Sequence, residues 1–419
     1  MSKKLSVKNI ADDISSRKSS KLLINLFKKG IFSKFSNLEF GCVEFSSKDK
    51  NVTLGDQNSK LRVKLEVLSD EFYVFIGSGG LLGASESYAL GHWRADDLTV
   101  LFQIMLQNKK LMSSFDSGFA SLVKPINKFI HYTRNNTLTG SKKNIVAHYD
   151  LSNEFYQLWL DKTMTYSCGI FLDDNSTLEQ ASIEKLDRIC RKLKLNSSDH
   201  VLEIGTGWGS FAIHAAKNYN CKVTTTTISD SQFEFAKSKV KELGLGNQIN
   251  IINKDYRLLD GTYDKIVSIE MIEAVGHKYV PEYFKKINSL LNNGGMFAMQ
   301  GITYNDQQFD IYKHSVDFIN KYIFPGSCLI SVNQVSDIIK KHTNLIFNDL
   351  DDITSHYATT LKLWRNNFMN QLDNIKNLGF SDSFIRLWEF YFVYCEAGFI
   401  EKNIGDYQFV FTKKDGLNV

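Results

Sequence analysis

The stretch VLEIGTGWGSFAIHAA, residues 201–216, decides the fold of this chain, because an apolar strand enters a glycine-rich turn that leads directly into a helix. Gly205, Gly207 and Gly209 permit a tight turn and allow a ligand to approach the backbone closely. A dinucleotide site has the spacing G-x-G-x-x-G, whose third glycine would fall at position 210, and that residue is Ser210. The spacing therefore indicates a nucleotide loop of another class, with a purely structural turn as the alternative.

Strands and helices alternate on both sides of this loop, from about residue 145 onward. We predict seven strands, with helices between them, at 200–205, 222–227, 249–253, 264–269, 295–302, 345–350 and 407–412. Such alternation predicts an α/β fold whose mostly parallel sheet carries helices on both faces. The stretches 303–343 and 355–401 exceed simple crossovers, so we expect them to form helical lid insertions over the carboxyl edge of the sheet, where such folds bind ligands.

The first third of the chain has the pattern of a smaller α+β domain. LRVKLEV (61–67) alternates apolar and charged residues, which predicts a half-buried strand. EFYVFIG (71–77) follows a short turn and predicts a second strand that pairs with it. Residues 85–108 are predicted to be helical, with an amphipathic segment that begins near Asp96.

Length and charge set further limits. A chain of 419 residues is too long for one ordinary domain. The polar stretch HYTRNNTLTGSKKN (131–144) is typical of a linker, which predicts an N-terminal domain at 1–130 and a larger domain at 145–419. The 50 basic and 46 acidic side chains give a net charge of +4. That balance is too mild to argue for nucleic acid, but it does not oppose contact with an anionic membrane.

Cysteine spacing and hydropathy exclude several classes of protein. The six cysteines are scattered without a CxxC or a Cys/His cluster, so neither a disulfide framework nor a metal site is indicated. MSKKLSVKNIADDISSRKSS, at the N-terminus, lacks the apolar core of a signal peptide. No uncharged apolar run approaches the roughly 18 residues that a bilayer crossing needs. We therefore expect a cytoplasmic protein, a homodimer being one possibility, whose membrane contact is peripheral and at the inner face.

The end of the second predicted strand reads TTTTISDSQ (224–232). Folds of this kind usually place a carboxylate there for the ribose hydroxyls, and this chain has none at the tip. The polar set Thr227, Ser229 and Gln232 would have to replace it. Ser229-x-x-Gln232 also fits a capping box at the start of a helix. Both roles can hold together, because a capped helix can point its free N–H groups at a ligand.

Eight segments in the same order resemble the cyclopropane fatty acid synthase family, which includes the mycolic acid cyclopropane synthases. They are HYDLSNEFYQLWLDKTMTYSCGIF (148–171), LEIGTGWG (202–209), TTISDSQ (226–232), DYR (255–257), EMIEAVGHKY (270–279), FINKYIFPGSCLIS (318–331), HYATTLKLW (356–364) and YCEAGF (394–399). ESYALGHWRADDLTVLF (86–102) is similar to the family's N-terminal domain, so the resemblance covers essentially the whole chain. It implies a Rossmann-like class I S-adenosylmethionine-dependent methyltransferase fold at 145–419 and a lipid- or membrane-binding domain at 1–130.

The resemblance also implies site residues. S-adenosylmethionine would be the cosubstrate, held by Tyr166, Ser167, Glu203, Gly205, Thr206, Gly207, Gly209, Thr227, Ile228, Ser229, Gln232, Asp255, Tyr256 and Arg257. Asp255 is an equally good candidate for a turn former at a strand end. The reaction centre would contain Cys168, Glu273, Tyr357 and Cys395, with a bicarbonate ion that serves the family as general base, and no metal. Cys395 lies on an aromatic stripe at helical spacing, which is more typical of a core.

The family's chemistry explains these residue types. An isolated alkene is a poor nucleophile, so the sulfonium methyl group must be held in line with the π bond in a pocket that excludes water. Methyl transfer leaves a carbocation, which aromatic faces such as Tyr166 or Tyr357 can stabilise. Ring closure then needs a base that removes a proton from the transferred methyl group, and Glu273 is the expected holder of the bicarbonate.

Position 300 departs from the family pattern. Gln300 stands at the end of the fifth strand, where better-known members carry a histidine that is hydrogen-bonded to the bicarbonate. A glutamine can donate a hydrogen bond, but it cannot carry charge or relay a proton. Glu270 and Glu273, one helical turn apart, have the spacing of paired carboxylates for acid–base work; the alternative is that Glu270 merely faces solvent and Glu273 acts alone. His148 and Tyr149 are as good candidates for the core as for the site. The departure at Gln300 leaves room for a different product.

The leading hypothesis is transfer of a methylene group from S-adenosylmethionine to the double bond of an unsaturated membrane phospholipid, giving a cyclopropane acyl chain and S-adenosylhomocysteine. A related lipid C-methyltransferase that makes a 10-methylene or methyl-branched chain is the first alternative, motivated by Gln300. A non-catalytic lipid-binding protein is a further alternative, against which the glycine loop argues. A small-molecule methyltransferase is possible on fold alone.

Overall fold

The computed structural model describes residues 19–48, 50–111 and 151–415. The predicted linker at 131–144 lies outside the described residues, as do His148 and Tyr149. None of the helices in the described part of the chain has the length and apolar character that a membrane crossing requires.

The elements before the gap are α1 (Lys21–Phe35), β1 (Cys42–Ser46), β2 (Asn51–Gly55), β3 (Arg62–Val67), α2 (Glu71–Ala89), β4 (Trp93–Ala95) and α3 (Leu98–Gln107). Those from residue 151 to the end of β9 are α4 (Asn153–Gln157), α5 (Leu178–Lys192), β5 (His200–Ile204), α6 (Ser210–Tyr219), β6 (Lys222–Thr227), α7 (Asp230–Glu242), β7 (Ile249–Asn253), β8 (Tyr263–Ile269), α8 (Val280–Leu290) and β9 (Leu291–Tyr304). The remainder are α9 (Asp306–Tyr312), α10 (Val332–His342), β10 (Leu345–Asp352), α11 (Thr354–Met369), α12 (Leu372–Asn377), α13 (Asp382–Ile400) and β11 (Ile404–Lys413). Short 3₁₀ turns cover Tyr256–Leu258 and Ile272–Ala274, and a π-helical turn covers Ile319–Ile323.

The described residues form two compact units. The first unit contains the residues up to 111 together with 316–323 and 361–403, and the second contains 151–315, 324–360 and 404–415. The sequence placed 316–323 and 361–403 in the larger C-terminal domain as parts of its lid. They group instead with the N-terminal residues, because the aromatic stripe of α13 packs there: the ring of Phe390 lies 4.8 Å from Phe102 and 5.9 Å from Tyr88.

A four-stranded sheet in the order β2-β1-β3-β4 organises the first unit. The predicted strand at 61–67 is confirmed as β3, whose Val63, Leu65 and Val67 are buried. The predicted strand at 71–77 is wrong, since these residues begin α2. Their apolar run does not alternate, and such a run has the same appearance in a buried helix as in a buried strand. Phe72 is fully buried on that helix.

The helix predicted over 85–108 is interrupted. Residues around Gly91 (φ +74°) end α2, and the short strand β4 pairs antiparallel with β3 before the chain becomes helical again. The second helical segment begins as α3, where the Asp97 carboxylate accepts a hydrogen bond from the Val100 N–H at 3.0 Å and caps the helix.

The second unit is a seven-stranded sheet in the order β10-β11-β9-β8-β5-β6-β7, and all seven predicted strands are confirmed. β9, β8, β5, β6 and β7 are parallel. β11 is antiparallel to both of its neighbours, β9 and β10, so the edge strand β10 has the same direction as the parallel strands. This is the predicted mostly parallel α/β sheet. The carboxyl ends of its parallel strands therefore meet at one edge, where the chain after β5, β6, β7 and β8 leaves the sheet.

Helices cover both faces of this sheet. Along β5, Leu202 packs in the core layer that α8 and α10 close, where Phe284 is fully buried. The neighbouring Val201 points to the opposite layer, which α5 and α6 close with side chains such as Phe211. This alternation follows from the two-residue period of a strand, and it buries both faces of β5, as a central parallel strand requires.

Candidate active site

The glycine loop after β5 has the conformation that its sequence predicted. Gly205, Gly207 and Gly209 have φ values of +102°, +52° and +94°, which only glycine adopts without strain. The N–H groups of Gly205 and Thr206 both donate to the Thr226 carbonyl at 3.0 Å, which ties the loop to β6. Among residues 19–48, 50–111 and 151–415, no atom lies within 4 Å of the position that a Cβ on Gly207 would take. The loop backbone is therefore open to a ligand on that side.

Glu203 lies just before this loop and points into the sheet. Its carboxylate accepts a hydrogen bond from the Thr225 hydroxyl at 2.6 Å, and the residue is buried. Burial raises the pKa of Glu203 to about 8. The role of Glu203 in holding S-adenosylmethionine stays a prediction.

The end of β6 shows half of the predicted capping box. Ser229 Oγ accepts from the Gln232 N–H at 3.3 Å and caps α7, as predicted. The Gln232 side chain does not return this bond; its Oε1 accepts from the Thr227 hydroxyl at 3.0 Å. Thr227, Ser229 and Gln232 therefore form one connected polar group at the carboxyl end of β6, with Ile228 half-buried between them.

Asp255 acts as a turn former at the end of β7. Its carboxylate accepts hydrogen bonds from the backbone N–H and the side chain of Arg257, with the shortest contact, to Nη2, at 2.7 Å. This pairing raises the pKa of the Arg257 guanidinium. The ring of Tyr256, between them, packs edge-on against Tyr283 at 5.5 Å. Contact of these three residues with a cofactor stays a prediction.

Aromatic rings connect Tyr166 to the glycine loop. The centroid of Tyr166 lies 5.2 Å from Trp159 and 5.6 Å from Tyr156. Tyr156 in turn lies 4.9 Å from Trp208, the loop residue between Gly207 and Gly209. The Trp208 indole N–H donates to Asn153 Oδ1 at 2.8 Å. These packed aromatic rings form the kind of apolar surface that excludes water from a reaction centre.

Three donors converge on one carboxylate, that of Glu270. Oε1 accepts from the Cys168 backbone N–H and from Gln300 Nε2, each at 2.8 Å. Oε2 accepts from the Tyr357 hydroxyl at 2.5 Å. The alternative that Glu270 merely faces solvent is wrong, because its position directly after β8 turns the side chain toward the loop of Cys168 and toward α11. The structure thus brings Cys168, Gln300 and Tyr357 together around Glu270, while their roles in the reaction stay predictions.

The amide of Gln300 is fixed on both sides. Its Oε1 accepts from Gln408 Nε2 at 3.1 Å, which leaves the NH₂ group to face Glu270. Nε2 also donates to Asp406 Oδ2 at 3.2 Å. Gln300 is fully buried and pairs with Ile269 of β8 in the sheet. It is therefore an oriented neutral donor at the end of the parallel strands.

Glu273 lies beside this cluster with fewer partners. Its Oε1 accepts from the Ile302 N–H at 2.6 Å, and within the described residues its buried Oε2 has no hydrogen-bond partner. Burial and the Glu270 charge raise the pKa of Glu273 to about 8. A Cβ added to Gly301 would approach Ile272 to 2.9 Å, so the strand leaves no room for a side chain next to Glu273.

Two members of the site were missed by sequence reasoning. Asp406 is fully buried on β11, and burial together with the charges of Glu270 and Glu273 raises its pKa well above the usual range. Lys185 is buried on α5 and donates to Ser167 Oγ at 2.6 Å. Periodicity offered a signal for Lys185, because it falls on the apolar face of α5 with its buried residues Leu178, Ala181, Ser182, Leu186 and Ile189.

The two predicted active-site cysteines have different outcomes. Cys168 contributes its backbone N–H, while its thiol points to the Gly169 carbonyl at 3.2 Å. Burial and the charges of Asp406 and Glu270 raise the pKa of the Cys168 thiol, so it stays protonated. Cys395 lies on α13 in the other compact unit, where burial and the Asp317 carboxylate raise the pKa of its thiol. A role of Cys395 in the reaction stays a prediction.

Comparisons with known proteins agree with the family that the sequence resembles. The model of the mycolic acid cyclopropane synthetase family matches residues 136–409. Tuberculostearic acid methyltransferase UfaA1 of Mycobacterium tuberculosis is 36% identical over 357 residues, which are 81% of this chain and 80% of that protein. Cyclopropane-fatty-acyl-phospholipid synthase of Escherichia coli is 32% identical over 367 residues, which are 86% of this chain and 91% of that protein.

Two solved structures of cyclopropane synthases are also similar to this chain. The cyclopropane synthase MmaA2 from Mycobacterium tuberculosis superposes with a TM-score of 0.61 at 27% identity, covering 65% of this chain and 98% of that chain. Mycolic acid cyclopropane synthase CmaA1, solved in complex with SAH and CTAB, has a TM-score of 0.61 at 28% identity, again covering 65% of this chain and 98% of that chain.

Proposed function

The chain belongs to the mycolic acid cyclopropane synthetase family and is an S-adenosylmethionine-dependent methyltransferase, and from this premise we propose that it adds a methylene group to the double bond of an unsaturated phospholipid acyl chain. One observation carries the proposal: a carboxylate held by three donors lies in the same compact unit as the glycine loop. Alkene methylation differs from simple methyl transfer in needing a base after the transfer, and this site contains one in a buried setting.

The residues around the glycine loop fit S-adenosylmethionine. The open side of Gly207 admits the close approach of a ligand to the backbone, and the capped start of α7 presents polar groups beside it. When bound, the cosubstrate supplies an electrophilic methyl group on a sulfonium. Tyr166 and its neighbouring rings exclude water, and an aromatic face is suited to stabilise the carbocation that follows.

The ring is the product that we propose first, because the family is named for it and the relative from Escherichia coli is named as a cyclopropane synthase. An exocyclic methylene or a methyl branch is the second candidate. It is favoured by the neutral Gln300 in the position of the family's histidine, and by a relative of which the name is tuberculostearic acid methyltransferase.

The first unit offers support for a phospholipid substrate. Leu22 and Leu26 lie one helical turn apart on α1 and are 82% and 54% exposed. Lysines at 21, 28 and 29 flank them on the same helix. Exposed leucines beside basic residues are typical of helices that dock on anionic membrane surfaces. We propose that the N-terminal domain brings the enzyme to the membrane as a peripheral protein at its inner face.

An assay with labelled cosubstrate tests the function. We expect that pure protein incubated with S-adenosylmethionine carrying a trideuterated methyl group, and with vesicles of a monounsaturated phospholipid, gives acyl chains that have gained a CD₂ unit, because one deuteron is lost after transfer. Mass spectrometry of the acyl esters measures this gain. Proton NMR of unlabelled product then separates the isomers, since cyclopropane protons resonate upfield of other acyl signals. An acyl fraction without label would refute the proposal.

Replacing Tyr357 with phenylalanine should lower kcat by about tenfold to 100-fold while the affinity for S-adenosylmethionine stays unchanged. The Tyr357 hydroxyl lowers the pKa of Glu270 through its hydrogen bond, so its removal raises that pKa. More of the carboxyl is then protonated at neutral pH, and the loss should shrink as pH rises. The pH profile of kcat/KM measures this effect; a loss that is equal at every pH would contradict it.

A further inference from the structure

The donors around Glu270 are of the kinds that the family's bicarbonate would need. A backbone N–H, that of Cys168, a side-chain donor at position 300 and the hydroxyl of Tyr357 all point at one small space. In this chain the space contains the carboxylate of Glu270 itself. A carboxylate has the planar, two-oxygen shape and the single charge of bicarbonate, so the same donors can serve either anion.

The backbone at Glu270 is strained in a way that places this side chain. Its φ is +46°, which is uncommon for a residue with a Cβ, and its N–H donates to the Gln300 carbonyl at 2.8 Å. Residues held in this conformation by surrounding bonds cluster at functional sites. The strain at Glu270 therefore indicates that the position of its carboxylate serves the reaction.

Bicarbonate does not fit the residues present. Its donors are engaged by Glu270, and a second anion in the same space would lie against Glu270, Glu273 and Asp406. Carboxyl groups that lie close together in a buried cluster already disfavour being ionised at the same time, because their negative charges repel. The charge of the buried Lys185 acts on Glu270 and Asp406, and one ammonium cannot balance a further negative charge.

Of the three clustered carboxyl groups, those of Glu270, Glu273 and Asp406, Glu270 is the one best suited to carry the negative charge. Its carboxylate accepts from the Cys168 N–H, the Gln300 amide and the Tyr357 hydroxyl. Glu273 accepts from the Ile302 N–H, and Asp406 accepts from the Gln300 amide. Hydrogen bonds to a carboxylate favour its ionised form. Burial raises the pKa of all three groups, but Tyr357, the Cys168 N–H and Lys185 oppose the rise at Glu270.

We propose that Glu270 takes the place of bicarbonate and is the general base of the reaction, an inference that rests on the proposed function. The alkene π pair forms the new bond to the sulfonium methyl carbon, and the broken C–S pair stays on sulfur. Glu270 then removes a proton from the transferred methyl group. The C–H pair closes the ring or, after a hydride shift to the neighbouring carbon, forms an exocyclic double bond. In both cases the proton ends on the Glu270 carboxyl.

The first experiment uses the unaltered enzyme. Turnover of monounsaturated phospholipid vesicles is measured in buffer stripped of carbon dioxide and again with added bicarbonate. We expect the two rates to agree within about twofold, since the base is covalently part of the chain. An enzyme that transfers methyl groups but requires bicarbonate would overturn the role of Glu270 and leave the proposed function intact. An enzyme that transfers none would refute the proposed function, and this inference with it.

The second experiment changes the base. Glu270→Gln should lower the yield of finished product on the order of 100-fold or more, the range of general-base catalysis. Glu270→Gly opens the anion space, and added bicarbonate should restore its activity by about tenfold or more, while it leaves Glu270→Gln unchanged. Glu242→Gln, an exposed carboxylate on α7, is the matched control and should keep full activity.

The fate of the carbocation separates a lost base from a damaged fold. With a trideuterated methyl donor, a base-finished chain retains CD₂, whereas a cation trapped by water becomes an alcohol that retains CD₃. We expect the ratio of CD₃ alcohol to CD₂ product to rise in Glu270→Gln, with S-adenosylmethionine binding by calorimetry unchanged. A Glu270→Gln enzyme that makes CD₂ product at more than about a tenth of the normal rate would overturn the proposal.

Discussion

Replacing Gly205 with valine should weaken the binding of S-adenosylmethionine on the order of 100-fold or more, equivalent to about 3 kcal/mol. Gly205 has φ +102°, a conformation that a β-branched residue does not adopt without strain. A Cβ there would also stand 3.2 Å from Met271 Cγ, tighter than ordinary packing. The loop must shift to accept the side chain, and the open backbone at Gly207 shifts with it. Calorimetric titration with S-adenosylmethionine measures the change.

Gly244 provides the matched control for this substitution. It also has a positive φ, +70°, and in the part of the chain that the structure describes no atom lies within 4 Å of the position of an added Cβ. Gly244→Val should therefore lose free energy of unfolding through backbone strain, by about 1–3 kcal/mol, while it binds S-adenosylmethionine with normal affinity. If the two variants bind the cosubstrate equally well, the glycine loop is not its binding site.

Replacing Lys185 with methionine should lower kcat/KM at neutral pH by at least about tenfold and move the acidic limb of the profile to higher pH. The Lys185 ammonium lowers the pKa of Glu270 and of Asp406. Without this charge both pKa values rise, so more Glu270 is protonated at neutral pH and fewer molecules have a free base. Activity should return as pH rises, because the base is then deprotonated again.

The pH profile distinguishes this electrostatic role of Lys185 from a role in packing. Methionine matches the length of the lysine stem, so α5 keeps most of its buried contacts. Titratable groups that interact electrostatically with Lys185 include Glu270, Cys168, Asp406, Asp161 and Glu203. Lys162→Met, which removes an exposed cation, should leave the profile unchanged. A Lys185→Met enzyme with the same acidic limb as the unaltered enzyme would show that the ammonium does not tune the base.

Much of the second unit could be predicted because its strands and its glycine loop depend on residues that are close together in the sequence. A parallel strand that is buried on both faces appears in the sequence as an apolar run between turn residues, and β5 has this form. The glycine spacing at 205–209 likewise requires positive φ values at those positions. The segment 71–77 lacked such a local signal, because an apolar run without alternation is compatible with a buried helix.

The candidate site was only partly predictable because its members are distant in sequence. Cys168, Gln300 and Tyr357 were found through the motifs that contain them. That all three donate hydrogen bonds to Glu270 was not predicted. Glu270, Gln300 and Asp406 come together because β8, β9 and β11 lie side by side, and only the sheet order sets that neighbourhood. Two carboxylates three residues apart look equivalent in a sequence, whatever surrounds them.

The sequence by itself determined the α/β class, the seven strands, the glycine loop and the family, since each of these depends on residue types at fixed local spacing. Only the tertiary structure decided which carboxylate is held as an anion. That choice depends on the directions of the Cys168 N–H, the Gln300 amide and the Tyr357 hydroxyl, and on the dry surroundings that make each hydrogen bond count. Burial and hydrogen-bond geometry favour the negative charge on Glu270, and neither can be predicted from the spacing of residues in the sequence.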